Sequence, residues 1–335
     1  MINDLRFKIS YLLICLLGYL FITQTAAAAP LSLSIDPPII VIKVIPPANI
    51  TSALNIQNKG DTPITLQIQL KPFKAKGENG ELEYSKETSE IFKSIQILDA
   101  NVPVGSITLG PQQQKSLNLD INIPQDTNIS DYYFSVVFVS VNSFPVESNF
   151  SVNQLGIAAN VLLSVGALEI PKATIEEFSS NIFFEKGPVP FTIRVNNKGA
   201  HFIEPKGEIT IKNMFGQSIG KLDLTLINVL SGSTRAIPNG VYMQSLRLKD
   251  NSNTKTKNAF DFKHPIALWN ESFLLGLYTA TLNISMSNEG PTFTRTIHFF
   301  AFPLLILIVI VIVVIAVIVI RNRLKLYANK DRMQV

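Results

Sequence analysis

Between residues 30 and 299 the dominant period of the apolar residues is two. Leu54 and Ile56 alternate, as do Leu66, Ile68 and Leu70, and then Leu117, Leu119, Ile121 and Ile123. The pattern resumes at Phe191, Ile193 and Val195, at Leu222, Leu224 and Leu226, and at Leu282, Ile284 and Met286. Side chains two apart share one face of a strand, so this period predicts half-buried strands in antiparallel sheets. Turn residues fall between the runs, at Asn58-Lys59-Gly60-Asp61, Gly77-Glu78-Asn79-Gly80 and Asn197-Lys198-Gly199. Gly and Asn supply the backbone angles that tight turns require. No stretch of this body sustains a helical period. Tyr132 to Val141, YYFSVVFVSV, is apolar on both faces and reads as a central strand covered on each side. The class is all-β.

An internal echo sets the domain count. LNIQNKGDTPITLQI, from Leu54, and FTIRVNNKGAHFIEP, from Phe191, each end an alternating strand on Asn-Lys-Gly. Ser130-Asp131-Tyr132 and Gly276-Leu277-Tyr278 each open a long apolar strand. A tyrosine in that place suits the corner that ties a loop to an immunoglobulin-like sandwich. The echoes predict two tandem immunoglobulin-like β-sandwiches, residues 30–167 and 168–298, with no flexible linker between them.

The two ends point to a membrane. Arg6 and Lys8 precede the apolar Ile9 to Ile22, and Ala26-Ala27-Ala28 supplies small residues for cleavage. Residues 1–28 therefore read as a secretory signal peptide cut after Ala28. Cys15, the one cysteine, lies inside it. A processed chain would have neither a disulfide nor a thiolate metal site. Phe299 to Ile320 is 22 residues without a charge, the length of a transmembrane helix crossing a lipid bilayer. Arg321, Arg323 and Lys325 follow it. Basic residues stay on the cytoplasmic side, so residues 321–335 are expected in the cytoplasm and the sandwiches outside, in a single-pass protein of the cell membrane.

Charge narrows the partners. The last fifteen residues hold five bases against Asp331, which accounts for the whole net charge of +4. The body is nearly neutral, so no nucleic-acid partner is expected. His201, His264 and His298 stand apart in the sequence, without the spacing of a metal site. The carboxylate pairs Glu81/Glu83 and Glu176/Glu177 fit exposed strand edges better than acid–base catalysis. No phosphate loop or nucleophile elbow occurs. The sequence thus predicts no enzyme, no cofactor and no metal. Its least regular part is Asn239 to Phe273. There the cationic Lys249, Lys255 and Lys257, with Trp269 as an aromatic anchor, are the candidate contacts to a polymer or partner, against the alternative that Trp269 packs into the sandwich.

LSLSIDPPIIVIKVIPPANITSALNIQNKG, followed by ITLQIQLKPF, ITLGPQQQKSLNLDINIP and DYYFSVVF, resembles the first domain of the WxL-interacting surface proteins of bacteria. It is more distantly similar to the pilus-chaperone type of immunoglobulin sandwich. GPVPFTIRVNNKG, PKGEITIKNMFGQSIG and the segment from Trp269 to Tyr278 resemble their second domain. In that family the first domain is associated with peptidoglycan and the second with partner or host surface components. The resemblance therefore implies a non-enzymatic surface protein that holds cell-wall polymer or a surface protein. The alternative is an accessory structural subunit of a multi-protein envelope complex.

Overall fold

The computed structural model describes residues 32–332 apart from 87–88, 142–143, 146–151, 154–155, 168–169, 240–243, 248–255, 260–264 and 288–289. The signal segment 1–28 lies outside the described residues, and the expected boundary at 167/168 falls at the edge of an undescribed stretch.

The chain begins with a strand that changes sheets. β1 (Leu33–Asp36) pairs antiparallel with β3 (Ala48–Asn58), and β2 (Ile39–Val44) runs parallel to β13 (Gly156–Val165). Pro37 and Pro38 separate them, and a proline ring has no N–H to give to a ladder. The first sheet then reads β1-β3-β9-β6-β7, with β6 (Ile95–Asp99), β7 (Val102–Pro103) and β9 (Gln114–Ile123). The second reads β2-β13-β10-β4-β5, with β4 (Ile64–Lys76), β5 (Glu81–Tyr84) and β10 (Ser130–Ser140); β8 (Ser106–Leu109) also pairs β4. A short ribbon joins β11 (Phe144–Pro145) to β12 (Val152–Asn153). Leu54, Ile56, Leu66, Leu117, Leu119, Ile121, Phe134, Val136 and Phe138 fill the space between the sheets.

The second half repeats the plan. β14 (Ala173–Ser179) pairs β16 (Val189–Asn197), and the chain then crosses to β15 (Phe183–Phe184), parallel to β24 (Thr292–Ala301). One sheet holds β14, β16 and β19 (Thr234–Ala236), with β22 (Ala267–Trp269) also on β16. The facing sheet reads β15-β24-β23-β17-β18, with β17 (Lys206–Asn213), β18 (Ser218–Asp223) and β23 (Gly276–Ser285). β20 (Gln244–Arg247) and β21 (Thr256–Ala259) form a separate ribbon. The second core gathers Phe191, Ile193, Val195, Ile209, Ile211, Leu282 and Ile284. Each half is a β-sandwich of immunoglobulin-like type, and the class is all-β.

The Asn-Lys-Gly echo has one physical cause in both halves. Asn58 and Asn197 are fully buried. Asn58 donates from Nδ2 to the carbonyls of Thr62 (2.8 Å) and Gly110 (2.9 Å), and its Oδ1 accepts from Gly60 N (2.9 Å). Asn197 donates to the carbonyls of His201 (2.9 Å) and Val229 (3.0 Å) and accepts from Gly199 N (2.9 Å). Each amide ties its own turn to a second loop. Both corner tyrosines are also present: Tyr132 Oη donates to Asn128 O, and Tyr278 Oη to Leu275 O.

The helix departs from expectation. Phe299 to Ala301 belong to β24, whose ladder holds them against β23, and helix α1 spans Leu304–Arg332. The charge-free part in helical form is Leu304 to Ile320, 17 residues and about 25 Å long. Among the described residues no helix is long and apolar enough to cross a membrane. The expected 22-residue span from Phe299 is thereby corrected: sheet pairing claims its first residues.

Candidate functional site at the seam between the sandwiches

β10 explains why one strand is apolar on both faces. Its even-numbered residues Phe134, Val136 and Phe138 face the first core. Its odd-numbered residues point the other way, onto a row set by register. Val41 pairs with Leu162, Leu162 with Tyr133, and Phe73 with Tyr84, while Tyr133 and Phe73 meet through their rings where the β10–β4 ladder ends. The second sandwich packs on this row with Phe202 and Leu230, which form a buried cluster with Phe73 and Leu162. Tyr133 stacks on Phe73 at 6.1 Å and meets Phe202 edge-on at 6.5 Å. The Lys43 ammonium sits 4.9 Å over the Phe202 ring, within cation–π range.

At the centre lies Asp131, whose side chain is 2% exposed. Its carboxylate accepts from Tyr133 Oη, from Phe202 N and, at 2.7 Å, from His201 Nδ1. Two of these donors belong to the second sandwich. Tyr133 Oη in turn accepts from Ser231 N (3.1 Å), and Ser164 Oγ lies 2.9 Å from His201 Nδ1. A buried carboxylate is tolerated only when its lone pairs are filled, and here two of the three filling groups come from across the seam. Burial, helped by the bond to Asp131, raises the Tyr133 phenol well above its ordinary range. His201 Nε2 is buried without a hydrogen-bond partner.

The β4–β5 hairpin makes a second crossing. Glu78 O accepts from Ala236 N (2.9 Å), and Glu78 Oε2 accepts from Arg194 Nη1 (2.9 Å), while Arg194 also bridges Glu177 at 2.7 Å. Gly80 has φ +85°, and a Cβ there would stand 2.3 Å from the Arg235 guanidinium. The positive φ is what favours glycine at this turn. Burial lowers the Arg235 pKa, and its Nη1 donates to Asn228 O at 2.7 Å.

Beside the seam lies an open edge. Among the described residues β2 has β13 as its one ladder partner. Its odd-numbered side chains turn outward, leaving Ile39 48% and Val41 49% exposed, and Ile45 follows at 69%.

The residues singled out from sequence are not brought together there. Trp269 is 7% exposed and packs in the second core against Tyr278 (5.8 Å) and Phe299 (6.4 Å). It is a packing residue, and the expected aromatic anchor is corrected on that point. Lys249 and Lys255 lie outside the described residues, and Lys257 is placed only as a backbone position of β21, opposite Leu246. Asp131, Tyr133, His201 and Phe202 were missed as a group because they are distant in sequence. The signal available was the double-faced apolarity of YYFSVVFVSV.

No protein-family model matches the chain, and no curated protein does. Among solved structures it is similar to the class 5 fimbrial chaperone CfaA, at 12% identity and TM-score 0.38, over 79% of this chain and 98% of that one. The E. coli chaperone DraB shows 11% identity and TM-score 0.35, over 79% and 96%. The PapD-like domain 7 of human CEP192 shows 13% identity and TM-score 0.26, over 41% and 87%. Likeness at this level carries no argument, and the fold rests on the sheets themselves.

Proposed function

We propose that this chain is a non-enzymatic, membrane-anchored surface protein whose two sandwiches, locked by the Asp131 seam, hold a protein partner at the β2 edge. The observation that carries the reading is the exposed apolar β2 edge. A flat, hydrophobic, one-sided strand is an aggregation hazard unless another chain covers it. An incoming strand would gain main-chain hydrogen bonds along Ile39–Val44 and apolar contact with Ile39 and Val41.

Anchoring rests on α1. From Ile308 to Ile320 every side chain is exposed. A helix apolar on all faces has no stable place in water. Its charge-free helical part is 17 residues long, and Phe302 and Pro303 extend the uncharged run back toward β24. With Arg321 and Arg323 on the cytoplasmic side, the sandwiches face outward. The sequence resemblance to WxL-interacting proteins supports a surface location. Peptidoglycan is the less favoured ligand, because Trp269 is taken up by the core.

A photo-crosslinking residue in place of Val41, in the full-length chain in cells, tests this. A discrete adduct with a second polypeptide at position 41, and none at the exposed Thr294, is expected. No adduct at 41, with salt-resistant sedimentation of the full chain on purified wall polymer, would reverse the choice of ligand.

A further inference from the structure

The end of the second sandwich from which α1 emerges carries an apolar rim. The register of β15, β24 and β23 aligns Phe183, Phe300 and Leu277 in one row on the outer sheet face. All three are close to half exposed. Phe302, two residues before the helix, stacks on Phe300. Ile182 and Leu275 flank the row in sequence, 80% and 50% exposed, and the β17–β18 turn beside β23 carries Met214 and Phe215, 60% and 78% exposed.

Phe215 is held outward rather than left to collapse. Asn213 Oδ1 accepts from Phe215 N and Gln217 N, each at 3.0 Å, and Gly216 closes the β17–β18 turn at φ +79°. L-residues other than glycine rarely adopt that angle.

The apolarity stops after one row. Two residues up the same face come Thr279, His298 and Lys212, with Thr279 Oγ1 and His298 Nδ1 3.0 Å apart. Above them lie Thr281 and Thr296, then Asn283 and Thr294. Same-face rows are about 7 Å apart, so the change from phenylalanine to Lys212 and His298 takes one headgroup's depth. This is the profile of a surface that sits at the boundary of acyl chains and headgroups. The apolar row belongs to one sheet, that of β15, β24 and β23, so the apolar contact is one-sided.

We propose that Phe183, Phe215, Leu277 and Phe300 form a collar that rests in the outer interface of the bilayer. It would seat the second sandwich on the lipid and fix its tilt, with the β15-β24-β23-β17 side leaning in. This rests on the anchoring reading above, because the collar is continuous with α1 through Phe302.

The full-length chain, in phosphatidylcholine–phosphatidylglycerol vesicles with acyl chains brominated at shallow or deep positions, tests it. Tryptophan reporters at Phe215→Trp, Leu277→Trp, Thr294→Trp and Ile312→Trp are compared after subtraction of the parent Trp269 emission. Shallow bromine is expected to lower the emission of Phe215→Trp and Leu277→Trp about twofold, deep bromine that of Ile312→Trp, and neither that of Thr294→Trp. Quenching at 312 without quenching at 215 and 277 overturns the collar and leaves the anchor standing. No quenching at 312 overturns the anchor and the collar with it. Quenching at 294 as strong as at 215 means that the sheet lies flat on lipid, which also overturns the collar. The reporter sites are exposed, and near-ultraviolet circular dichroism matching the parent confirms folding in each case.

Discussion

Tyr133 shows how a single residue makes the junction pH-sensitive. Its phenol is harder to ionise in the folded chain than in the unfolded one, mainly through burial and then through its bond to Asp131. Folding therefore favours the protonated form. The stability this gives is complete below the ordinary phenol value of 10.0 and declines as the pH rises beyond it. The loss is at most about 1.4 kcal/mol per pH unit. Tyr133→Phe removes the ionisable group, and its denaturant midpoint should fall less than the parent's between neutral and strongly alkaline pH. Equal alkaline losses in the two proteins would place the titration elsewhere. Trp269 belongs to the same scale. It lies against Tyr278 and Phe299 in the second core, so Trp269→Ala should cost about 4 kcal/mol of stability. Crosslinking at Val41 should survive in whatever fraction remains folded. Loss of the adduct without loss of stability would restore the residue to a binding role.

At the scale of elements, alternation was a sufficient guide wherever two sheets face one another. Leu117 to Ile123 and Phe191 to Val195 fall in β9 and β16 with the alternate side chains buried, as their period requires. Alternation misled where pairing ran out. Leu222, Leu224 and Leu226 read as one strand, but β18 ends at Asp223, Leu224 makes an isolated bridge to Asn239, and Leu226 is exposed. The start of α1 was obscured for a related reason. Phe299 to Ala301 are as apolar as the helix that follows, and their ladders with β23 and β15 assign them to a strand. The seam was legible only as the second covered face of a central strand, since register and a partner domain are needed to see what covers it. The Asn-Lys-Gly echo was the most informative short motif. Its value lies in the amide at Asn58 and Asn197, which satisfies three backbone groups at once. Asn58→Ala and Asn197→Ala would each leave those groups short of partners in a buried site, at about 2 kcal/mol. Chemical unfolding should show similar losses for the two. A negligible cost at either position would make that turn a sequence coincidence.

For the whole molecule the question is what sets the height of the β2 edge above the lipid. The collar would hold the second sandwich, and the first follows only if the seam is stiff. Two donors from the second sandwich on one buried carboxylate, the Phe73–Leu162–Phe202–Leu230 cluster and the Glu78 crossing all resist a hinge at that point. Removing a buried acceptor strands its donors at about 3 kcal/mol, more than a modest interface between domains can lose and remain closed. A fluorophore on Asp126→Cys, with acceptor dye in the bilayer, reads the distance from the first sandwich to the membrane. The parent should give one narrow distribution. Asp131→Ala combined with Phe202→Ala should broaden it while each sandwich keeps its own near-ultraviolet signature. A distribution that stays narrow would mean that the remaining crossings, the Glu78 hairpin and the Ser231–Tyr133 bond among them, are enough to hold the pair. One that is broad already in the parent would mean that the β2 edge samples a range of heights, and that the partner rather than the fold selects the position at which it is held.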